Sequence, residues 1–335
     1  MLVSALIVNY NRRELLAACL RSLAEALARV EDETEVIVVD NGSTDGSARL
    51  VEESFPHAVL LALPRNLGFS GGVVQGMGRA QGEWIALFNN DTTLHEDAVA
   101  AMLAAGRSAD DVGAVAAQMR FADRPDVVNS AGMEMDQLGV AADRLVGAPV
   151  AAVDSQEPQE VFGATGGAAL YRRAMLDQVG GFDETFFAFF EDADLAWRTR
   201  ASGWRALYAP RAIVYHHHSA TAGHGTPAKL YLVGRNRVRT LAKNANTSLL
   251  LRRGPYMLLY DAAYVAFASL RYRTLAPLRG RLQGLREWRS YRRKGRAARR
   301  PVQLAPPFGL KRALRRHRVW TKDDPSIAGR PGEVR

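Results

Sequence analysis

The sequence predicts an α/β protein built on a mostly parallel sheet with helices on both faces, and three observations predict it. Short apolar runs alternate with stretches whose leucines recur at helical spacing. The apolar runs read as strands covered on both faces, which is the pattern of parallel sheets. Hydrophobic residues make up 47% of the 335, enough for a sizeable core in one large domain or two smaller ones.

Residues 3–8 (VSALIV) form the first strand, broken by Asn9-Tyr10-Asn11. Leu15, Leu16, Leu20, Leu23 and Leu27 then mark a helix over 13–27. Residues 35–40 (EVIVVD) are a second strand that ends in Asp40 and the turn Asn41-Gly42-Ser43. A helix over 47–53, a strand over 58–63, a loop from Pro64 and a helix to about Ala80 follow. Residues 82–88 (GEWIALF) are a strand running into Asn89-Asn90-Asp91, then come a helix over 96–105 and a strand over 112–119. Asp40 and Asp91 thus stand at the carboxyl ends of strands, where open α/β sheets bind ligands. Singly, each is also an ordinary turn residue.

Residues 120–160 are rich in Asp, Gly, Ala and Pro with weak periodicity, and read as a loop or small hairpin excursion. Residues 161–170 (VFGATGGAAL) read as one strand opened by Gly163, Gly166 and Gly167, which suit close approach to a ligand. They form neither a P-loop nor a well-placed Gly-x-Gly-x-x-Gly. After a helix over 172–179 comes FDETFFAFFEDADLAWR (182–198), with five carboxylates threaded among aromatic residues. Burying a carboxylate costs several kcal/mol unless it is paired or bound to a cation, so this stretch reads as a wall of a site. Glu191-Asp192 falls at a helix start, where negative charge is favoured; an ordinary acidic first turn has the same pattern. A strand over 206–215 delivers His216-His217-His218, of which at most His216 and His218 share a face.

Composition bounds the remainder. One cysteine, Cys19, excludes an internal disulfide framework and fits a reducing compartment. The opening LVSALIV lacks a preceding basic region, so it is expected to be a strand and not a secretion signal. No run of about 20 apolar residues is present to span a bilayer. The net charge of +9 is concentrated late: from Arg271 to Arg318 the only acid is Glu287. Such a segment seeks a polyanion. Leu278–Arg300 is expected to be a helix with Leu282, Leu285, Trp288 and Tyr291 on one face, and the prolines beyond Arg300 to make an irregular tail. Aromatics and arginines over 256–318 fit an anionic membrane surface, or a basic helix packed on the rest of the chain; no nucleic-acid module surrounds the charge.

Asp40, Asp91, Asp192 and His216 each end or begin an element. One carboxylate and one imidazole, with phosphate oxygens, would hold a divalent ion, and a further carboxylate could take a proton from an attacking hydroxyl. The ordered strings LIVNYN, VVDNGSTDGS, PRNLGFSGG, FNND, GATGGAALYRR, GGFDETFFAFFEDADLAWR, VYHHHSAT and GRN closely resemble the family 2 glycosyltransferases, most of all their rhamnosyltransferase-like branch. The resemblance covers about residues 3–245.

It implies a GT-A fold over 1–245, with a nucleotide-sugar half (1–120) and an acceptor half (121–245), followed by a basic helical extension (246–335). It implies inverting, metal-dependent transfer of a sugar, rhamnose from dTDP-rhamnose being expected, to a glycan or polyprenyl-linked glycan in bacterial surface polysaccharide synthesis. The cofactor would be Mg2+ or Mn2+, and the location cytoplasmic, on the inner face of the plasma membrane. Asn9 and Tyr10 would border the nucleoside, Asp40 would contact base or ribose, and Arg65, Asn66, Gly68 and Asn90 would lie beside the nucleotide and its phosphates. Asp91 would be the metal-binding acid of a DxD-like Asn89-Asn90-Asp91, with His216 near metal and diphosphate. Asp192 would be the general base beside Glu191, with Gly166 and Gly167 on the acceptor side. Asn89 departs from a strict DxD, and Val74 replaces an expected asparagine. A sugar nucleotidyltransferase would want a glycine-rich basic loop where Asn9–Asn11 stands; a non-catalytic nucleotide-sugar or membrane-binding scaffold would release no diphosphate.

Overall fold

The structure, a computed structural model, describes residues 2–153, 156–217, 225–295, 301–309 and 319. The basic residues over 296–300 and 310–318, and His218, lie outside the described residues.

The first half alternates as the sequence predicts: β1 (Leu2–Asn9), α1 (Arg13–Leu27), β2 (Glu33–Asp40), α2 (Ser47–Ser54), β3 (Ala58–Ala62), α3 (Gly68–Arg79), β4 (Trp84–Asn89), β5 (Thr92–Leu94), α4 (Ala98–Gly106) and β6 (Val112–Phe121). Strands β3, β2, β1 and β4 lie side by side and parallel, and their registers pair Asn9 with Asp40 and Val8 with Asn89. The three strand ends that the sequence singled out therefore share one edge. Both faces of β1 are covered. Val3, Ala5 and Ile7 pack with Leu16, Leu20 and Leu23 of α1, and Leu6 and Val8 pack with Val73 of α3. That two-sided burial is why the strand shows no polar alternation.

The second half departs from simple alternation. β7 (Arg124–Ser130) folds back on β6, and β8 (Met133–Met135) pairs with β9 (Ala141–Asp143), so the weakly patterned stretch is a pair of hairpins. The single strand expected over 161–170 is two. β10 (Gln159–Val161) joins β12 (Arg205–His216) at the sheet margin, and β11 (Ala168–Arg172) inserts antiparallel between β4 and β6. The glycine-bearing segment between them crosses over the carboxyl end of β4, where Asn89 N donates to Gly167 O at 2.9 Å. A Cβ at Gly167 would stand 2.7 Å from Met119 Cε, so the tip of Met119 would have to move to admit a side chain there.

Helices α5 (Arg173–Val179) and α6 (Glu191–Ala201) follow β11, and α7 (Pro227–Asn244) follows β12. Asp194 on α6 is buried and accepts hydrogen bonds from Arg198, Lys243 and Asn244, which ties α6 to α7. The expected basic helix over 278–300 is broken. α8 (Thr247–Tyr272) precedes α9 (Ala276–Arg286) and α10 (Trp288–Lys294), and the break falls at Glu287, which is held by Arg239 of α7 at 2.6 Å. The expected common face is split accordingly. Leu282 and Leu285 are exposed, whereas Tyr291 is buried edge-on against Phe186, with ring centroids 6.1 Å apart. Asp261 of α8 pairs with Arg237 of α7 and Arg281 of α9, locking the three helices together. Residues 301–309 are not an irregular tail throughout: Ala305 bridges Asp136, and Phe308 N donates to the Asp136 carboxylate at 2.9 Å.

Candidate active site

A cavity of about 690 Å³ opens at the carboxyl edge of β1 and β4 and is walled on the far side by α6 and the start of α7. Of the residues expected from sequence, Tyr10, Asn66, Gly68, Asn90 and Asp91 line it. Gly166, Gly167, Glu191, Asp192 and His216 line it as well. Asn9 and Asp40 do not reach the wall. They are buried behind it, with Asn9 Nδ2 donating to Asp40 Oδ1 at 3.1 Å and Ser43 N to Asp40 Oδ2 at 3.1 Å. Asn90 Nδ2 donates to Asn9 Oδ1 at 2.6 Å, so this buried network holds the loop after β4. Arg65 is exposed and outside the lining.

The loop before α3 is fixed by Asn41. Its Nδ2 donates to Gly68 O at 2.9 Å, and its Oδ1 accepts from Leu67 N at 2.8 Å. Gly68 has φ +77°, and a Cβ there would stand 2.4 Å from Phe187 O, so no other residue fits without displacing the aromatic loop.

Strand register brings the metal-binding candidates together. β12 pairs antiparallel with β5 so that His216 lies opposite Thr92, one residue after Asp91. His217 N donates to Asp91 O at 2.9 Å, and His216 Nε2 stands 3.2 Å from Asp91 Oδ1. On the other ring nitrogen, Nδ1 lies 3.1 Å from Asn129 Oδ1 of β7. With that amide oxygen accepting, Nδ1 carries a proton, which leaves Nε2 as the ring nitrogen that a cation beside the Asp91 carboxylate would bind. One carboxylate oxygen and one oriented imidazole facing each other fit a divalent cation. No group of three or more potential ligands occurs among the described residues, so phosphate and water oxygens would complete the set, as Mg2+ and Mn2+ prefer.

Across the cavity, the aromatic loop before α6 is strained: Phe187, Phe189 and Phe190 have φ of +67°, +68° and +71°. Asn236 of α7 holds it, with Nδ2 facing the carbonyls of Phe186, Ala188 and Phe189 at 2.9, 2.8 and 2.7 Å. The Arg-Asn pair of the GRN string thus clamps this loop, Arg235 donating to Phe186 O at 2.9 Å.

The two carboxylates at the head of α6 have different surroundings. Asp192 accepts from Gly166 N at 3.1 Å and Ala193 N at 2.7 Å. Burial pushes its pKa up to about 6, and the two N–H donors hold it from going higher. Glu191 is more deeply buried, and its Oε2 meets no hydrogen-bond donor among the described residues. Burial, then the charges of Asp192 and Asp194, hold its carboxyl well above the usual range. Both carboxyls are thus held above the usual carboxylate range, Asp192 with two N–H donors to its anion and Glu191 with one oxygen that meets no donor among the described residues. Asn129, Asp143 and Lys229 line the cavity without a role expected from the sequence. Asn129 and Asp143 sit in the weakly patterned hairpins, and Lys229 sits in the first turn of α7.

The glycosyl transferase family 2 model matches residues 4–180. An N-acetylglucosaminyl-diphospho-decaprenol L-rhamnosyltransferase of Mycobacterium tuberculosis is 30% identical over 225 residues, 61% of this chain and 73% of that protein. Among solved structures, the mannosyltransferase PcManGT from Pyrobaculum calidifontis, in complex with GDP-Man and Mn2+, aligns with a TM-score of 0.53 at 19% identity, over 88% of this chain and 83% of that one. GalNAc-T7 with UDP, GalNAc and Mn2+ aligns at 0.60 and 13% identity, over 87% of this chain and 57% of that one. The expected GT-A architecture is the fold these structures share with the chain.

Proposed function

The chain belongs to glycosyl transferase family 2, and from that membership we propose that it transfers a sugar, with inversion, from a nucleoside-diphosphate donor to a sugar carried on a lipid diphosphate. Rhamnose is the proposed sugar, by likeness to the mycobacterial L-rhamnosyltransferase, with dTDP-rhamnose as the proposed donor. The observation that carries the reading is the shared cavity: Asp91 with His216 on one side, and the Glu191–Asp192 pair on another.

Asp91 and His216 would hold Mg2+ or Mn2+, which supplies positive charge where a departing diphosphate accumulates negative charge. Asn41, Asn66 and Gly68 shape the loop proposed to face the nucleotide, and the buried Asn9–Asp40–Asn90 network fixes the strand ends beneath it. Asp192, ionised above about pH 6, accepts the proton of the attacking acceptor hydroxyl. One displacement needs one base, and a nucleophilic second carboxylate is not required. The experiment is a donor panel. The full chain with Mn2+ and a short-chain lipid-diphosphate sugar should release nucleoside diphosphate from dTDP-rhamnose or another nucleoside-diphosphate sugar. Release from none of them, or consumption of a nucleoside triphosphate instead, would remove the reading.

The membrane proposal now rests on α8. Leu251, Leu258, Leu259 and Leu270 are exposed on it, with Arg252 and Arg271 beside them, whereas α9 and α10 spend much of their surface on α7. No helix among the described residues is long and apolar enough to cross a membrane. An exposed apolar face flanked by arginines lies on an anionic bilayer, here the proposed inner face of the plasma membrane. Leu258→Glu with Leu259→Glu should cut flotation with phosphatidylglycerol vesicles by about tenfold or more, since each leucine withdrawn from lipid is worth roughly 1.5–3 kcal/mol. Equal flotation would place this face elsewhere.

A further inference from the structure

The cavity is rich in acid. Asp91, Asp143, Glu191 and Asp192 line it, and Lys229 is the one lysine or arginine among its described lining residues. Lys229 stands in the first turn of α7, its backbone N–H donating to Thr226 Oγ1 at 3.4 Å. Its ammonium lies 5.1 Å from the centroid of the Phe189 ring, on the strained loop that Asn236 clamps. It makes no hydrogen bond or ion pair with the described residues through Nζ, although the side chain is half-buried. Burial lowers its pKa, and the charge of nearby Asp143 opposes that. The ring face of Phe189 and the charge of Asp143 favour a cation here, and Nζ is left to donate to a bound anion.

We propose that Lys229 binds a phosphate of the acceptor, the one joined to the sugar whose hydroxyl Asp192 deprotonates. This rests on the lipid-diphosphate acceptor of the preceding reading. Three placements select the acceptor over the donor. Lys229 neighbours Phe189 and Asp143, and Asp143 is also the carboxylate whose charge reaches Asp192. The donor's diphosphate has its own anchor in Asp91 and His216, at the meeting of β5 and β12. A sugar 1-diphosphate carries its first phosphate one ring's width from a ring hydroxyl, so a base and a phosphate-binding ammonium on the same wall suit one such molecule. Phosphate takes up to three hydrogen bonds from an ammonium, each charge-assisted. The start of α7 favours the same sign of charge.

Calorimetric titration of the full chain, without turnover, tests this with decyl diphosphate and decyl glucoside as probes and UDP or dTDP with Mn2+ as the donor-side control. The wild type should bind decyl diphosphate at least about tenfold tighter than decyl glucoside. Lys229→Met should erase that preference to within twofold, Lys229→Arg should keep most of it, and nucleoside-diphosphate affinity should stay within twofold in both. An unchanged preference in Lys229→Met would overturn the proposal. So would a loss confined to the nucleoside diphosphates, which would put Lys229 on the donor. Absence of sugar transfer from every donor would sink the enzymatic reading and leave this binding comparison intact.

Discussion

Asp192→Asn should lower kcat by about 10²–10⁴-fold, the usual contribution of a positioned general base, while leaving nucleoside-diphosphate affinity within twofold. The substitution preserves shape. An amide oxygen can still accept from Ala193 N or Gly166 N, so the head of α6 and the glycine crossing stay in place. What is lost is the lone pair that an acceptor hydroxyl needs. The pH profile gives the same assignment a second readout. Asp192 acts as base only when ionised, so wild-type kcat/KM should fall as pH drops through about 6, and the residual activity of the variant should lack that limb. Stability should move oppositely. A carboxyl whose folded pKa is raised contributes stability below its unfolded pKa, and that contribution is lost as pH rises through about 6. The variant has no such loss, so its Tm should gain on the wild type between about pH 4 and pH 7. Unchanged turnover would refute the base assignment, and a pH limb retained in the variant would move it to another group.

Asp91→Ala should remove the other half of the chemistry. Its Oδ1 faces His216 Nε2 at 3.2 Å, and with Nδ1 directed at Asn129 the imidazole cannot swing away to compensate. Losing a direct ligand should weaken Mn2+-dependent nucleoside-diphosphate binding by at least about 100-fold, beyond the 10–100-fold typical of losing a supporting group. Asn129→Ala, which frees the imidazole, should fall in that smaller range. Thermal melts report the result without turnover. Mn2+ with UDP or dTDP should raise the wild-type Tm, and the rise should vanish in Asp91→Ala, because a ligand stabilises only the state that binds it. Equal wild-type affinity with and without metal would contradict the metal role of Asp91.

Much of this site is legible in the sequence because each residue terminates a patterned run. Asn9, Asp40 and Asn89 follow apolar strands, and parallel in-register pairing then aligns the ends. Glu191–Asp192 is legible because charge interrupts an aromatic segment. The meeting of Asp91 and His216 is different. It depends on β12 pairing with β5, strands separated by more than a hundred residues of chain, and only the ordered motifs pointed to it.

The illegible parts have physical reasons. Residues 161–170 are mostly apolar and contain three glycines, and nothing local says that the chain leaves one sheet position at Val161 and enters another at Ala168. The hairpins carrying Asn129 and Asp143 have too little periodicity to place a side chain. The tail's leucines, Trp288 and Tyr291 fit one helical face only if the helix is continuous, and the Arg239–Glu287 pair sits where it breaks. Asn9 and Asp40 show the converse: their strand-end position is legible, but not that their side chains are used up on each other behind the wall. Lys229 carries no pattern at all, and its standing as the cavity's lysine emerges only once α7 is docked over Phe189.

The central claim is that one carboxylate, Asp192, faces a sugar whose diphosphate leaves on the side of Asp91 and His216. Proton NMR of the product, taken during the first minutes of transfer from an α- or β-linked donor of known configuration, tests it most directly. A new glycosidic bond of opposite anomeric configuration to the donor is the result expected. Retained configuration would require a second nucleophile that this cavity is not proposed to supply, and would contradict the account.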